Sequence, residues 1–267
     1  MKFSEKNNLC SKRRTLAIQE EGRKELTGPV DLVIFDMDGT IFDTEWLGVR
    51  SWIQAFEEMN LPVPLMALIG KLGLNSEDAK KLITESVPVE FDYEYVKSRK
   101  RAIMKERIDR DGVVIKPGFQ ELMTFLKKHQ IKTALATSRV KDMTYYYLER
   151  AGKHFPNFFD LIVTGDMVAR GKPAPDIFLY VTDHLGVNPQ NALVIEDSLN
   201  GVKGAVAAHI PVIMIPDLSP PSPIAREKAS IKKDLGEVIG VIQRANSDLI
   251  RKRIKGQISL PQNMFQK

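Results

Sequence analysis

DLVIFDMDGTIFDT, residues 31–44, runs from a charged residue through an unbroken apolar stretch into two aspartates, Asp36 and Asp38, followed at once by Gly39. A short, continuously apolar run is the pattern of a strand covered by helices on both faces. Residues two apart on a strand point the same way, so both carboxylates can face one site, and Gly39 permits a sharp turn away from it. Adjacent carboxylates repel, and burying them costs free energy unless a cation is near. A hard divalent ion with oxygen ligands meets that need, and magnesium suits a site where a phosphate completes its shell. The stretch therefore reads as a buried strand ending at an ionic site.

Outward from it, further strand-length apolar runs occur at 132–137, 160–165, 192–197 and 211–216. Helix-period segments fit between them at 118–129, 140–151, 175–186 and 198–208. This alternation predicts an α/β fold, with a Rossmann-like three-layer core around a mainly parallel sheet. One interval breaks the rhythm, because 95 residues (37–131) separate the first two strands. Val49, Trp52, Ile53, Phe56 and Met59 share one helical face there, and Pro62 and Pro64 separate two helices. Residues 45–112 are expected to form a small helical cap inserted after the first strand. The core then comprises 30–44 and 113–250, re-entered at Pro117 and Gly118, with a stiff connection at LSPPSP and a closing helix over 234–252.

The net charge of +5 lies at the ends of the chain. Residues 1–29 hold seven Lys/Arg against four Asp/Glu, residues 251–267 hold five against none, and the remainder carries −3. The ends read as a basic N-terminal extension and a basic C-terminal tail, solvated and without the aromatic interleaving of a nucleic-acid surface. No nucleic-acid partner is expected. One cysteine, Cys10, excludes an intramolecular disulfide, and no run reaches the roughly 20 apolar residues of a membrane span. A cytoplasmic monomer is the expectation.

In an open parallel sheet, ligands sit beyond the carboxyl ends of the strands. The polar residues placed there are Asp36, Asp38, Thr137, Ser138, Lys172, Glu196 and Asp197. Ser138 and Arg139 are expected to open a helix whose free N–H groups suit an anion. Ser198 is expected to cap the next one. The motif FDMDGTIFDT resembles the first motif of the haloacid dehalogenase superfamily. TSR at 137–139, GKPAPD at 171–176 and EDSLNG at 196–201 follow in family order, so the resemblance spans residues 31–205.

The resemblance implies that Asp36 attacks phosphorus and that Asp38 serves as acid and base. Thr137 would bind a phosphate oxygen, and Lys172 would pair with both phosphate and nucleophile. Asp36, Asp38, Asp197 and Glu196 would form the Mg²⁺ site, Asp197 as the direct ligand and Glu196 through water or in support of Lys172. Dehalogenases of the superfamily lack the second aspartate, so Asp38 points to phosphoryl transfer.

The helical insertion resembles the cap of the beta-phosphoglucomutase-like subfamily, which also includes phosphatases. Mutases of that group carry a cap histidine and a cap-loop arginine; Gly48 and Ser76 stand near those places, which favours hydrolysis of a small phosphorylated substrate over sugar-phosphate isomerisation. Glu45, Trp46, Lys71 and Asn75 are the expected substrate-facing cap residues, with Ser138, Arg139 and Lys141 on the core side. Each has a plainer reading: both Trp46 and Trp52 as cap core, Lys71 as a solvated cation, since nothing in the sequence marks it as buried. A non-catalytic scaffold using the basic ends is the reading from another class. The four histidines read as structural, with His209 placed at a tight helix-to-strand turn.

Overall fold

A computed structural model describes residues 26, 28–71, 76–218 and 220–254. The expected N-terminal extension, apart from its last few residues, and the C-terminal tail beyond 254 lie outside the described residues. Five strands fall where the apolar runs lie: β1 (Leu32–Phe35), β2 (Lys132–Ala136), β3 (Leu161–Val163), β4 (Ala192–Glu196) and β5 (Val212–Met214). A sixth, β6 (Ser230–Ile231), was not foreseen, being two half-buried residues with no apolar run. The order is β3-β2-β1-β4-β5-β6 and every pairing is parallel. The chain leaves β1 towards β2 and later returns to β4 on the other side, so strand order reverses at the carboxyl ends of β1 and β4.

Strand alternation builds the three layers. Val33, Phe35, Leu135, Leu193 and Ile195 enter one apolar cluster. Leu32, Ile34, Ala134, Val194 and Val212 enter the other. The first face is covered by the core helices Phe119–Lys128, Lys141–Ala151 and Gly236–Ile254, the second by Asp176–Leu185, Leu199–Ala207 and the short Pro223–Lys228. That last helix follows the LSPPSP connection and starts on Ser222, whose hydroxyl accepts from the Ala225 N–H.

The insertion holds α1 (Thr44–Glu58), α2 (Leu65–Gly70), α3 (Ser76–Glu85) and α4 (Tyr93–Asp111). The core helices named above then follow in chain order as α5 (Phe119–Lys128), α6 (Lys141–Ala151), α7 (Asp176–Leu185), α8 (Leu199–Ala207), α9 (Pro223–Lys228) and α10 (Gly236–Ile254). The insertion has its own apolar cluster, in which Trp52 stacks on Phe56 at 6.0 Å and meets Tyr93 at 5.7 Å. Trp52 is thus core, as read; Trp46 is not, being 40% exposed beneath the Arg50 guanidinium. The long helix α4 serves both bodies. Its Val96 and Ile103 pack in the insertion cluster, while Met104 and Ile108 pack in the sheet cluster. The chain leaves and re-enters the core side by side, through a Phe42–Ile115 bridge and a Lys116 N–H bond to the Ile41 carbonyl at 2.8 Å. His209 adopts φ +58°, the left-handed conformation its tight turn demands. No described helix is long and apolar enough to cross a membrane.

Candidate active site

Lys172 lies at the centre of the sheet edge, with its side chain 4% exposed. Its ammonium donates to Asp36 Oδ1 at 2.6 Å, Glu196 Oε1 at 2.8 Å and the Ala136 carbonyl at 2.9 Å. Strands β1, β2 and β4 therefore each contribute an acceptor, and Lys172 ties their carboxyl ends together. Burial works against its charge, but the two carboxylates hold its pKa above the ordinary lysine value. Asp36 continues β1 through its N–H bond to the Ile195 carbonyl. Burial, reinforced by Glu196 and Asp38, pushes its carboxyl up to about 8 in spite of Lys172.

Glu196 spends its second oxygen on the N–H groups of Asp197 and Ser198, at 3.0 and 2.8 Å, and on the Ser198 hydroxyl at 2.8 Å. Ser198 in turn accepts from the Gly201 N–H and caps α8, as expected. Gly201 is required here, because a Cβ would stand 1.8 Å from the Glu196 carboxyl carbon. Asp197 is different: the Thr40 hydroxyl donates to it at 3.5 Å, at the limit of a hydrogen bond. Burial first, then the charges of Glu196, Asp36, Glu45 and Asp217, raise its carboxyl well above the usual range. Gly39, at φ +74°, lies against it so closely that a Cβ would fall 2.1 Å from Asp197 Oδ2.

Asp38 is turned away from this group. Arg139 donates to it twice, from Nε at 2.6 Å and Nη2 at 2.8 Å, and the Thr44 hydroxyl donates at 2.7 Å. Burial alone would raise its carboxyl, but the Arg139 charge and these bonds hold it below the usual range. Arg139 also lies over the Tyr147 ring at 4.4 Å. Thr137 is buried, and its hydroxyl accepts from the Arg139 N–H at 3.2 Å. The helix after β2 starts at Lys141, later than expected, and the Lys141 N–H is taken by Asp166 at 3.1 Å. Its end is therefore not the open anion site read from the sequence. Ser138 is exposed, as is the Lys141 side chain.

Among the described residues, no group of three or more His, Cys, Asp or Glu side chains is placed to hold a metal ion. Of the four expected carboxylates, Glu196 is bonded throughout and Asp38 is held by Arg139, leaving Asp36 and Asp197 beside each other. The substrate-facing residues of the insertion divide likewise. Glu45 is half-buried, with its carboxyl raised by burial and by Asp38. Lys71, which the sequence left looking solvated, is half-buried and its pKa is lowered by that burial. Asn75 lies outside the described residues.

Two groups went unread in the sequence. Lys116 donates to the Gly39 carbonyl at 2.7 Å and to Asp217 at 2.8 Å, anchoring the turn that carries Asp38. Asp217 lies just past β5 at the same sheet edge, a position that could have flagged it; its other oxygen is buried without a partner.

Residues 33–215 match the family model for the haloacid dehalogenase-like hydrolases. A phosphorylated carbohydrates phosphatase of Thermotoga maritima is 33% identical over 181 residues, 68% of this chain and 82% of that protein. Protein CbbY of Cereibacter sphaeroides is 28% identical over 198 residues, 70% of this chain and 84% of that one. Among solved structures, a Thermotoga maritima protein provisionally assigned as a beta-phosphoglucomutase superposes with a TM-score of 0.67 at 29% identity. It covers 80% of this chain and 99% of its own.

Proposed function

Because the chain belongs to the haloacid dehalogenase-like hydrolases, we propose that it is a magnesium-dependent phosphatase of a small phosphorylated metabolite, a sugar phosphate or similar phosphomonoester. The observation that carries this reading is the buried Lys172 bridging Asp36 and Glu196 at 2.6 and 2.8 Å, beside an Asp197 that has no cationic partner within 4.0 Å among the described residues. The similarity to a phosphatase of phosphorylated carbohydrates supports the substrate class.

The donor set suits magnesium. That ion is held by one or two carboxylates together with substrate phosphate and water, and needs no cage of protein ligands. Asp36, buried, and Asp197, half-buried, are two carboxylates whose mutual repulsion a cation would relieve. Asp38 and Glu196, each with both carboxyl oxygens already hydrogen-bonded, drop out of the side-chain ligand set. When bound, the ion would neutralise charge on the transferring phosphoryl group and keep both carboxylates ionised.

Asp36 then attacks phosphorus, forming an aspartyl-phosphate as the ester P–O bond breaks, with Lys172 offsetting charge on the phosphoryl oxygens. Thr137 donates its hydroxyl to one of them. The leaving alkoxide takes a proton from Asp38, which later accepts one from the water that hydrolyses the intermediate. Both Asp38 oxygens are bonded in the structure, so Asp38 acts only after the Arg139 pair opens. The insertion closes over the site as a cap and excludes bulk water.

Hydrolysis of p-nitrophenyl phosphate, followed with Mg²⁺ and with chelator, tests this directly. Asp36→Asn should reduce turnover by on the order of 10³-fold or more, since it removes the nucleophile. Full activity in that variant, or turnover indifferent to chelation, would sink the mechanism. Interconversion of glucose 1-phosphate and glucose 6-phosphate without phosphate release would replace hydrolysis by mutase chemistry.

A further inference from the structure

The cleft between the insertion and the sheet edge carries a second set of charges that the phosphoryl chemistry does not use. Lys100, on α4, is half-buried, and among the described residues its ammonium has the Met104 thioether, at 3.3 Å, as its hydrogen-bond partner. Sulfur is a weak acceptor and does little for a positive charge. The ammonium reaches across to α1 above Gly48, where a Cβ would lie 3.8 Å from it. A large side chain at 48 would compete for that space. Lys71, at the end of α2, is also half-buried. Neither ammonium has a carboxylate within 4.0 Å among the described residues, and the neighbouring residues 72–75, Leu-Gly-Leu-Asn, carry no charge.

The groups within electrostatic reach of Lys100 are Lys71, Arg139, Glu45 and Arg101. Lys71 and Lys100 come from the insertion and Arg139 from the core, so three cations from three elements converge on the cleft. The carboxylate among these groups is Glu45; Asp38, next to Arg139, is already committed to that guanidinium. Burial, followed by the Lys71 and Arg139 charges, pushes the Lys100 pKa down to about 8. Glu45 is one carboxylate facing two lysines; burial and the neighbouring Asp38 raise its pKa, while Lys71 and Lys100 act to lower it.

At the other end of the cleft the sign is reversed, with Lys172 set against Asp36, Glu196 and Asp197. The site is therefore polarised, short of a cation at the sheet edge and short of an anion under α4. Burying an ammonium beside other cations is unfavourable unless an anion arrives. Lysine, a flexible point charge, suits carboxylate and phosphate alike without a fixed fork geometry.

We propose that Lys100 and Lys71 form a subsite for a second anionic group of the substrate, so that the preferred phosphomonoesters carry a carboxylate or a second phosphate on the leaving group. This rests on the phosphatase reading above and narrows it, since neutral sugar and polyol phosphates would leave the subsite empty.

Matched pairs of esters test it with the full chain and Mg²⁺: 3-phosphoglycerate against glycerol 3-phosphate for the carboxylate, and fructose 1,6-bisphosphate against fructose 6-phosphate for the phosphate. In at least one pair kcat/KM should favour the anion-bearing member by about tenfold or more, chiefly through KM, as a charge-assisted contact predicts. The pair with the larger ratio identifies the anion. Lys100→Met should collapse that ratio towards one, and Lys100→Arg should retain most of it. Ratios near one in both pairs for the wild type would overturn the subsite while leaving the phosphatase standing. So would a ratio that survives in both Lys100→Met and Lys71→Met. If Lys100→Met does not fold, as its melting curve would report, the wild-type pairs and Lys71→Met decide. Absence of hydrolysis of any ester, p-nitrophenyl phosphate included, overturns the phosphatase reading and this subsite with it.

Discussion

Arg139 holds Asp38 through two nitrogens at 2.6 and 2.8 Å, with the pair about a quarter exposed and the guanidinium stacked on Tyr147. Removing one partner of a mostly buried ion pair leaves the other charge uncompensated. Arg139→Gln should therefore destabilise the fold by about 1–3 kcal/mol at pH 7, a loss below the fully buried case because water reaches the pair. The Asp38 pKa is depressed in the folded state, so the stabilisation is present above the unfolded aspartate value of about 3.9 and is lost as pH falls through the folded value. Urea denaturation at pH 7 and at pH 3.5 should show the deficit of the variant shrinking at the lower pH; an equal deficit at both would count against the clamp. The aspartates themselves were legible in the sequence because a hydrophobic strand rarely ends in two acids without a reason. The clamp was not, since Asp38 and Arg139 lie 101 residues apart and only the sheet sets β1 and β2 side by side.

Helix α4 joins two bodies, with Val96 and Ile103 in the insertion cluster and Met104 and Ile108 in that of the sheet. Its helical character was readable, but which residue faces the cleft depends on a register that both clusters fix together. Lys100 is one of several cations in a highly charged helix, and nothing local in the sequence sets it apart. Packing turns it inward beside Lys71, Arg101, Arg139 and Glu45, and its ammonium deprotonates as pH rises through about 8. The preference for an anion-bearing ester over its neutral counterpart should consequently decline across that range. The ratio of the two kcat/KM values cancels titrations common to both substrates, such as that of the nucleophile. A ratio flat from pH 7 to 9.5 would show that Lys100 does not set it. The insertion was legible at the level of helices for a simpler reason: 95 residues cannot be one crossover, and Val49, Trp52, Ile53, Phe56 and Met59 repeat with a helical period.

The molecule as a whole brings Asp36 and Asp197 together from β1 and the end of β4, and both carboxyls are raised by burial and by one another's neighbours. A ligand that binds only the folded state stabilises it by mass action, by about 2.7 kcal/mol at one hundred times its Kd. Saturating Mg²⁺ should therefore raise the Tm by several degrees for a chain of this size, and Asp197→Asn should remove most of that shift. An unchanged wild-type Tm would argue against a site made of these two carboxylates. The sequence by itself determined the layers and the sheet edge, because continuous apolar strands, 3.6-period helices and acids at strand ends are local patterns that survive without coordinates. It also placed Asp36, Thr137, Lys172, Glu196 and Asp197 at that edge. Tertiary structure alone decided how their charges are paired: Glu196 with Lys172, Asp38 with Arg139, Lys116 with Asp217, and Lys100 with no acid within 4.0 Å among the described residues. Pairing depends on distances of a few ångströms between residues far apart in the chain, and the Coulomb energies that set each group's protonation follow those distances.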